Sequence, residues 1–278
     1  MEATAVRPRV WVEAWSPDYG TSFDAPGLER TVDEVDTGVE TARWAPVEPG
    51  PAALPPVAFV DGVVRVDSRA FVATGNGPVP GLCASVGVGS VVSSGQRASF
   101  GPSEILRTSI FGDGADCTLP AAGRLVYQPR AAPGSGPEGL LAELTSVRSH
   151  AEVEMARRLA LSGYVVVADG PLLSRRENLE IVGLIKSHHK TYLPESQESV
   201  VHALAPGQRS PLFAFGRMRP RYGWYLRLAG MENEHPWAGI ARCECSASLP
   251  LTKAVELADM ISANLPRFAS RSYWDPRA

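Results

Sequence analysis

A formal net charge of −3 over 278 residues argues against a generic cationic nucleic-acid coat and leaves room only for a local basic track. With 44% hydrophobic and 21% charged residues, the composition is that of an ordinary globular chain long enough for one large domain or two small ones, and no apolar run approaches a membrane span. Cys83, Cys117, Cys243 and Cys245 are too few and too scattered for a disulfide framework, and no basic, apolar, small-residue signal precedes Arg9, so the chain is expected in the cytoplasm.

The alternation from Arg9 to Trp15 predicts a strand, followed by the turn-rich Ser16 to Gly20. Acidic, proline-rich sequence then runs to Pro56, with Pro46 to Pro56 as a connecting loop rather than a domain boundary, so residues 1–56 are an N-terminal strand and proline-rich segment ahead of the domain over 57–278. Val57 to Val92 reads as an antiparallel meander of about three strands. Its first strand delivers Asp61-Gly62. Either Asp61 is a carboxylate carried out of the core, or Asp61-Gly62 is a tight hairpin turn leading into Val63-Val64-Arg65-Val66. A short helix is predicted at Ser103 to Thr108, and Pro129 to Pro137 reads as a linker.

From Glu138 to Leu161 the residues Leu140, Leu144, Val147, Ala151, Met155 and Leu159 fall on one helical stripe. Glu152 and Glu154 flank the stripe on opposite sides, and periodicity does not choose between them; the bland reading of each is a solvated charge. Gly163 ends the helix. Within Val165 to Leu173 an apolar, β-branched run ends on Asp169 and is broken at once by Gly170 and Pro171; it reads as a strand buried on both faces, so Asp169 belongs at its tip unless Asp169-Gly170 is merely a turn. If the Asp61 and Asp169 strands lie side by side, two carboxylates meet and call for a divalent cation or a shared proton.

Leu179 to Lys186 reads as another buried strand, ending in a cation that can neutralise a phosphate or pair with the carboxylates. Adjacent His188 and His189 point apart on any regular element, which favours a loop or surface role over a shared ion. Beyond them the patterns predict a helix at Ser196 to Leu204, strands at Pro211 to Gly216, Trp224 to Leu228 and Trp237 to Cys245, and a helix at Leu251 to Leu265. Cys243-x-Cys245 has no second pair and reads as strand cysteines. Arg217, Arg219, Arg221 and Arg227 interleave with Tyr222, Trp224 and Tyr225, which is the composition of a single-strand nucleic-acid track and equally of an ordinary edge strand.

Strand with Asp, two strands, helix with Glu, strand with Asp is the element order of an α/β, ribonuclease-H-like mixed sheet with flanking helices, here with additional β-rich elements. A right-handed crossover makes the two aspartate strands parallel neighbours. Three carboxylates at one rim could hold two divalent ions about 4 Å apart, one activating water and one stabilising the leaving oxygen of an in-line phosphoryl displacement.

Phe59-Val60-Asp61-Gly62, Arg148-x-x-Ala151-Glu152, Val167-Ala168-Asp169-Gly170-Pro171-Leu172 and Ile181-Val182-Gly183-Leu184-Ile185-Lys186 occur in the order found in the NurA nucleases of DNA double-strand-break repair, and from about Val57 onward the chain resembles that family. The resemblance implies a nuclease with 5′-to-3′ exonuclease and single-strand endonuclease activity, dependent on Mn2+ with Mg2+ as the alternative. It implies Asp61, Glu152 and Asp169 as metal ligands, joined by Lys186 in the catalytic set, and it favours Glu152 over Glu154. It also implies a homodimer around a DNA channel, working with a HerA-like hexameric ATPase. Two departures stand out. Val63 replaces the usual small hydroxyl residue, and Trp274 to Ala278 end the chain before the family's C-terminal histidine, as in a shortened chain or a relative lacking that ligand. Three readings stay open: a metal-dependent DNA nuclease, a weak or inactive relative that binds DNA or a motor ATPase, and an unrelated α/β protein in which both Asp-Gly pairs are turns.

Overall fold

The structure is a computed structural model that describes residues 29–30, 35–95, 97–121, 123–173, 177–188, 190–230 and 236–269. The predicted strand at 9–15, His189 and the tail from Trp274 lie outside the described residues.

In chain order the elements are β1 (Glu29–Arg30), β2 (Val57–Thr74), β3 (Gly77–Ser94), β4 (Arg97–Phe111), β5 (Gln128–Ala131), α1 (Pro137–Leu161), β6 (Val165–Asp169), β7 (Ile181–Ile185), β8 (Lys190–Thr191), α2 (Glu195–His202), β9 (Phe213–Phe215), β10 (Arg221–Arg227), β11 (Ile240–Ser246) and α3 (Leu251–Asn264). Nine strands form one mixed sheet in the order β5-β4-β3-β2-β6-β7-β11-β10-β9, with β2, β6 and β7 parallel at its centre. The architecture is therefore α/β, with a helix on each face. The apolar stripe of α1 packs on Ala58, Val60, Val86, Val88 and Val166, whereas Val57, Val165, Val167 and Val182 point the other way, towards Leu257, Ala258 and Ile261 of α3. Successive strand residues alternate between these two cores, as β geometry requires of a strand buried on both sides. Among the described residues no helix is long and apolar enough to cross a membrane.

Three local expectations are corrected. Val57 to Val92 holds not three short strands but the greater part of two, β2 and β3, each 18 residues long. Pro78 and Pro80, which look like breaks, pair only with β2 beyond the end of β4, where β3 is an edge strand and a missing N–H is tolerated. Ser103 to Thr108 is not a helix but part of β4, because pairing with Glu104 opposite Val88 and Thr108 opposite Ala84 outweighs local preference. The expected linker begins inside β5, which runs parallel to β4.

Residues 35–56 run against the sheet and α3. Asp36 and Val47 bridge Ala214 and Arg209 through backbone hydrogen bonds, and Asn264 donates to the Ala52 carbonyl. Arg209, only 1% exposed, grips both oxygens of Glu40 at 2.8 and 2.9 Å and reaches Asp259 of α3 at 2.7 Å.

Candidate functional site

β2 and β6 pair in parallel from Val57 opposite Val165 to Val60 opposite Ala168, so Asp61 and Asp169 are the next residues of neighbouring strands. Both follow by two a residue that faces the α3 core, Phe59 and Val167, and the period of two puts their side chains on that same face. The hairpin reading of Asp61-Gly62 is overturned. β2 continues to Thr74, with Asp61 opposite Gly89 in mid-strand. β6 ends at Asp169, and Gly170, with φ +89°, turns the chain away. The loop that follows lies on Gly183 of β7, where any Cβ would come within 2.6 Å of the Leu172 nitrogen.

Glu152 reaches the same rim from α1, on the opposite side of the sheet. A Cβ on Gly62 would sit 2.5 Å from Glu152 Oε1, so the glutamate passes over the bare Cα of this glycine. Glu152, Asp61 and Asp169 line one cleft of about 540 Å3, and Glu154 does not. Burial, and then the charges of Asp61 and Asp169, push the Glu152 carboxyl above the ordinary glutamate range against the opposing pull of Arg148 and the Gly62 N–H. Arg148 sits one turn back on α1, 3.5 Å away. Lys186, just past β7, holds Asp169 Oδ1 at 2.9 Å in an exposed pair.

The raised pKa carries a linkage consequence for the protein without divalent ions. A carboxyl whose pKa is higher folded than unfolded contributes stability at pH values below its unfolded pKa and loses it as pH rises through the folded pKa. Glu152→Gln, neutral at every pH, is expected to melt above the parent at pH 8 in chelator, with the gap closing as the pH falls through the carboxylate range. Thermal melts across pH check this, and a variant less stable than the parent at pH 8 would contradict it.

The donor set is all carboxylate oxygen, the chemistry suited to a hard divalent cation. Like-charge crowding at Glu152 is what such a set shows without one. As the side chains stand, among the described residues no group of three or more His, Cys, Asp or Glu is close enough to hold an ion. Asp169 is turned to Lys186, and Glu152 to Arg148.

The arginine and aromatic track is not a continuous surface. Trp224 and Tyr225 are fully buried: Trp224 packs in the α3 core with its indole N–H donated to Ser262 Oγ, and Tyr225 stacks on Phe213. They offer no face to a base. Tyr222 packs against the same core as Trp224, and Arg227 spends its guanidinium on the carbonyls of His202, Pro236 and Ala238. Arg217 and Arg219 are exposed on the β9 to β10 connection. Of the seven residues, only Arg221 lines the carboxylate cleft.

His188 bonds the Ile240 carbonyl at 2.8 Å and packs on Trp237, a structural role. Cys243 and Cys245 are buried strand residues whose thiols burial pushes up, Cys245 to about 12.

Sequence reasoning missed Arg242 and Glu244. Both are buried on β11, where Glu244 takes Arg242 at 3.0 Å, Arg221 at 2.8 Å and the Leu172 N–H at 3.1 Å. Two charges alternating with Cys243 and Cys245 inside a strand that reads as core were the available signal. Through Leu172, Glu244 also anchors the loop that follows Asp169.

On its far side the pair of aspartates borders a second, apolar concavity of about 710 Å3, walled by Val63, Val91, Phe100 and Ile105.

No protein-family model and no curated protein sequence matches this chain. Among solved structures it is similar to the crystal structure of the NurA nuclease from Sulfolobus solfataricus, with a TM-score of 0.47 and 10% identity over 83% of this chain and 78% of that one.

Proposed function

We propose that this chain is a metal-dependent DNA nuclease built on a ribonuclease-H-like core. One observation carries the reading: Asp61 and Asp169 stand on adjacent parallel strands, and Glu152 enters over Gly62 into the same cleft. Four anionic side chains, Asp61, Glu152, Asp169 and Glu244, share that cleft with four cationic ones, Arg148, Lys186, Arg221 and Arg242.

In this reading Asp61, Glu152 and Asp169 would hold Mn2+ or Mg2+. The bound cation supplies charge stabilisation to the scissile phosphate and a lowered pKa to the attacking water. Lys186 orients Asp169 in the free protein and offers its ammonium to a phosphate oxygen once a strand is bound. Arg148 holds Glu152 at the rim. The apolar concavity beside the aspartates supplies a surface for unstacked bases, with Phe100 as its most exposed ring, and this favours single-stranded DNA. The four motifs extend the proposal to 5′-to-3′ digestion, cytoplasmic DNA end resection, a homodimer and a HerA-like hexameric ATPase as partner.

The test is degradation of labelled single-stranded and duplex DNA by the purified chain with Mn2+, with Mg2+ and with chelator. Cleavage dependent on a divalent ion and lost in Asp61→Asn is the expected result. No cleavage with any ion would overturn the enzymatic reading. A second reading, a non-catalytic DNA- or ATPase-binding relative, is favoured by the pairing of Asp169 with Lys186 and Glu152 with Arg148; it expects DNA binding unaffected by Asp61→Asn and no cleavage.

A further inference from the structure

The cleft does not end at the carboxylates. Its other end is built from β10 and β11, where Glu244, with no exposed surface, lies between two guanidinium groups. Two cations share one anion, so this end carries excess positive charge inside a concave, largely desolvated wall. Arg242 and the Leu172 N–H already give each Glu244 oxygen a partner, so Arg221 adds a second positive charge to this end.

The two arginines are not equivalent. Arg242 is 6% exposed, gives Nε and Nη2 to Glu244 Oε1, and lies over the Tyr192 ring at 4.5 Å. Arg221 is 23% exposed and gives Nη1 to Glu244 Oε2, while its guanidinium sits 4.7 Å from the centre of the Phe215 ring. Its Nε is buried and has no hydrogen-bond partner. A planar donor fork that lines the cleft with part of its surface exposed, clamped on a ring and fixed by a buried carboxylate, is preorganised for a tetrahedral oxyanion.

We propose that Arg221, backed by Arg242 and held by Glu244, is a phosphate-binding subsite that grips the DNA backbone away from the scissile bond. This rests on the nuclease reading of the carboxylate end. The sheet order β6-β7-β11-β10 sets the spacing. Neighbouring strands lie about 4.8 Å apart, so the backbone of β10 runs roughly 14 Å from the strand carrying Asp169, and the Arg221 side chain reaches back across that gap to within 3.5 Å of the Leu172 carbonyl, three residues beyond Asp169. A gap of this size separates the two contacts by a few nucleotides at most of a bound strand. The bound phosphate is thus an internal phosphodiester of a strand whose cut site lies at Asp61 and Asp169. A strand too short to span both ends gains nothing from the subsite.

The experiment measures single-stranded oligonucleotide affinity in chelator as a function of salt, for the parent chain, Arg221→Gln and Arg221→Lys, with a thermal melt of each. Losing one phosphate contact should weaken binding about tenfold at low salt and flatten the slope of log K against log salt by about 0.7. Arg221→Lys, which keeps the charge, should retain the parent slope. Equal losses on 5′-hydroxyl and 5′-phosphorylated strands support an internal phosphodiester; a loss confined to the phosphorylated strand overturns that assignment in favour of the terminal phosphate. If the parent binds and cleaves DNA while Arg221→Gln keeps its affinity and slope, the subsite is overturned and the nuclease reading stands. The same holds if Arg221→Lys loses slope as Arg221→Gln does. If the parent neither binds nor cleaves DNA, both fall.

Discussion

Asp169→Asn is expected to reduce metal-dependent DNA cleavage on the order of 1,000-fold or more, while the protein melts within a few degrees of the parent. The activity loss follows from position. Asp169 is the last residue of β6, beside Asp61 and within the electrostatic reach of Glu152, so the amide removes charge where an ion would be held. Stabilisation of charge at a reacting centre is generally worth such factors. The small stability change follows from exposure: Asp169 is 43% exposed and Lys186 62%, and a solvated pair of this kind contributes about 0–1 kcal/mol. Because Asp169 is one of the charges that raise the Glu152 pKa, the variant should also bring the Glu152 titration down, observable by carboxyl NMR without divalent ions. Undiminished, ion-dependent cleavage would remove Asp169 from the mechanism.

Arg209→Ala should cost about 3 kcal/mol or more of folding stability, with no direct effect on the cleft. Arg209 is the buried centre of a three-way clip: Glu40 lies on the segment before β2, Asp259 on α3, and Glu40 also accepts the Leu212 N–H at 2.6 Å. Removing the guanidinium leaves Glu40, 15% exposed, facing Asp259 without a counter-charge, and breaking one partner out of a buried ion pair typically costs 3–5 kcal/mol. Asp259 is about one-third exposed, which argues for the low end. Urea unfolding measures this. Adding Glu40→Gln and Asp259→Asn to Arg209→Ala should recover part of the loss, since the unpaired charges then vanish, and a single variant within 1 kcal/mol of the parent would show that the clip holds nothing.

The parts of the fold legible in the sequence are those in which burial repeats locally. The 3.6-residue stripe from Leu140 to Leu159 places α1 to within a residue, and the run Val165 to Asp169 places β6 and its charged tip. The sequence reading of the second sheet half failed where alternation alone could not say which face is covered. Trp224 and Tyr222 look like a stacking surface until α3 is packed over them. Ser103 to Thr108 looks helical until β3 pairs with it along its length.

Local chemistry thus determined the strongly periodic or uniformly apolar segments, α1, β6, β7 and α3, and the residue types at their ends, because φ/ψ preference and the period of apolar residues are properties of neighbours in the chain. Whether Asp61-Gly62 was a turn or a site was not such a property. It was decided by the parallel pairing of β2 with β6 and by a helix side chain crossing Gly62, contacts between residues about a hundred positions apart whose pairing depends on the register of the whole sheet. The same holds for Arg221, Arg242 and Glu244: each is unremarkable in its own strand, and only the packing of β10 beside β11, with the loop after Asp169 lying above Glu244, turns them into one buried charge cluster at the end of the carboxylate cleft.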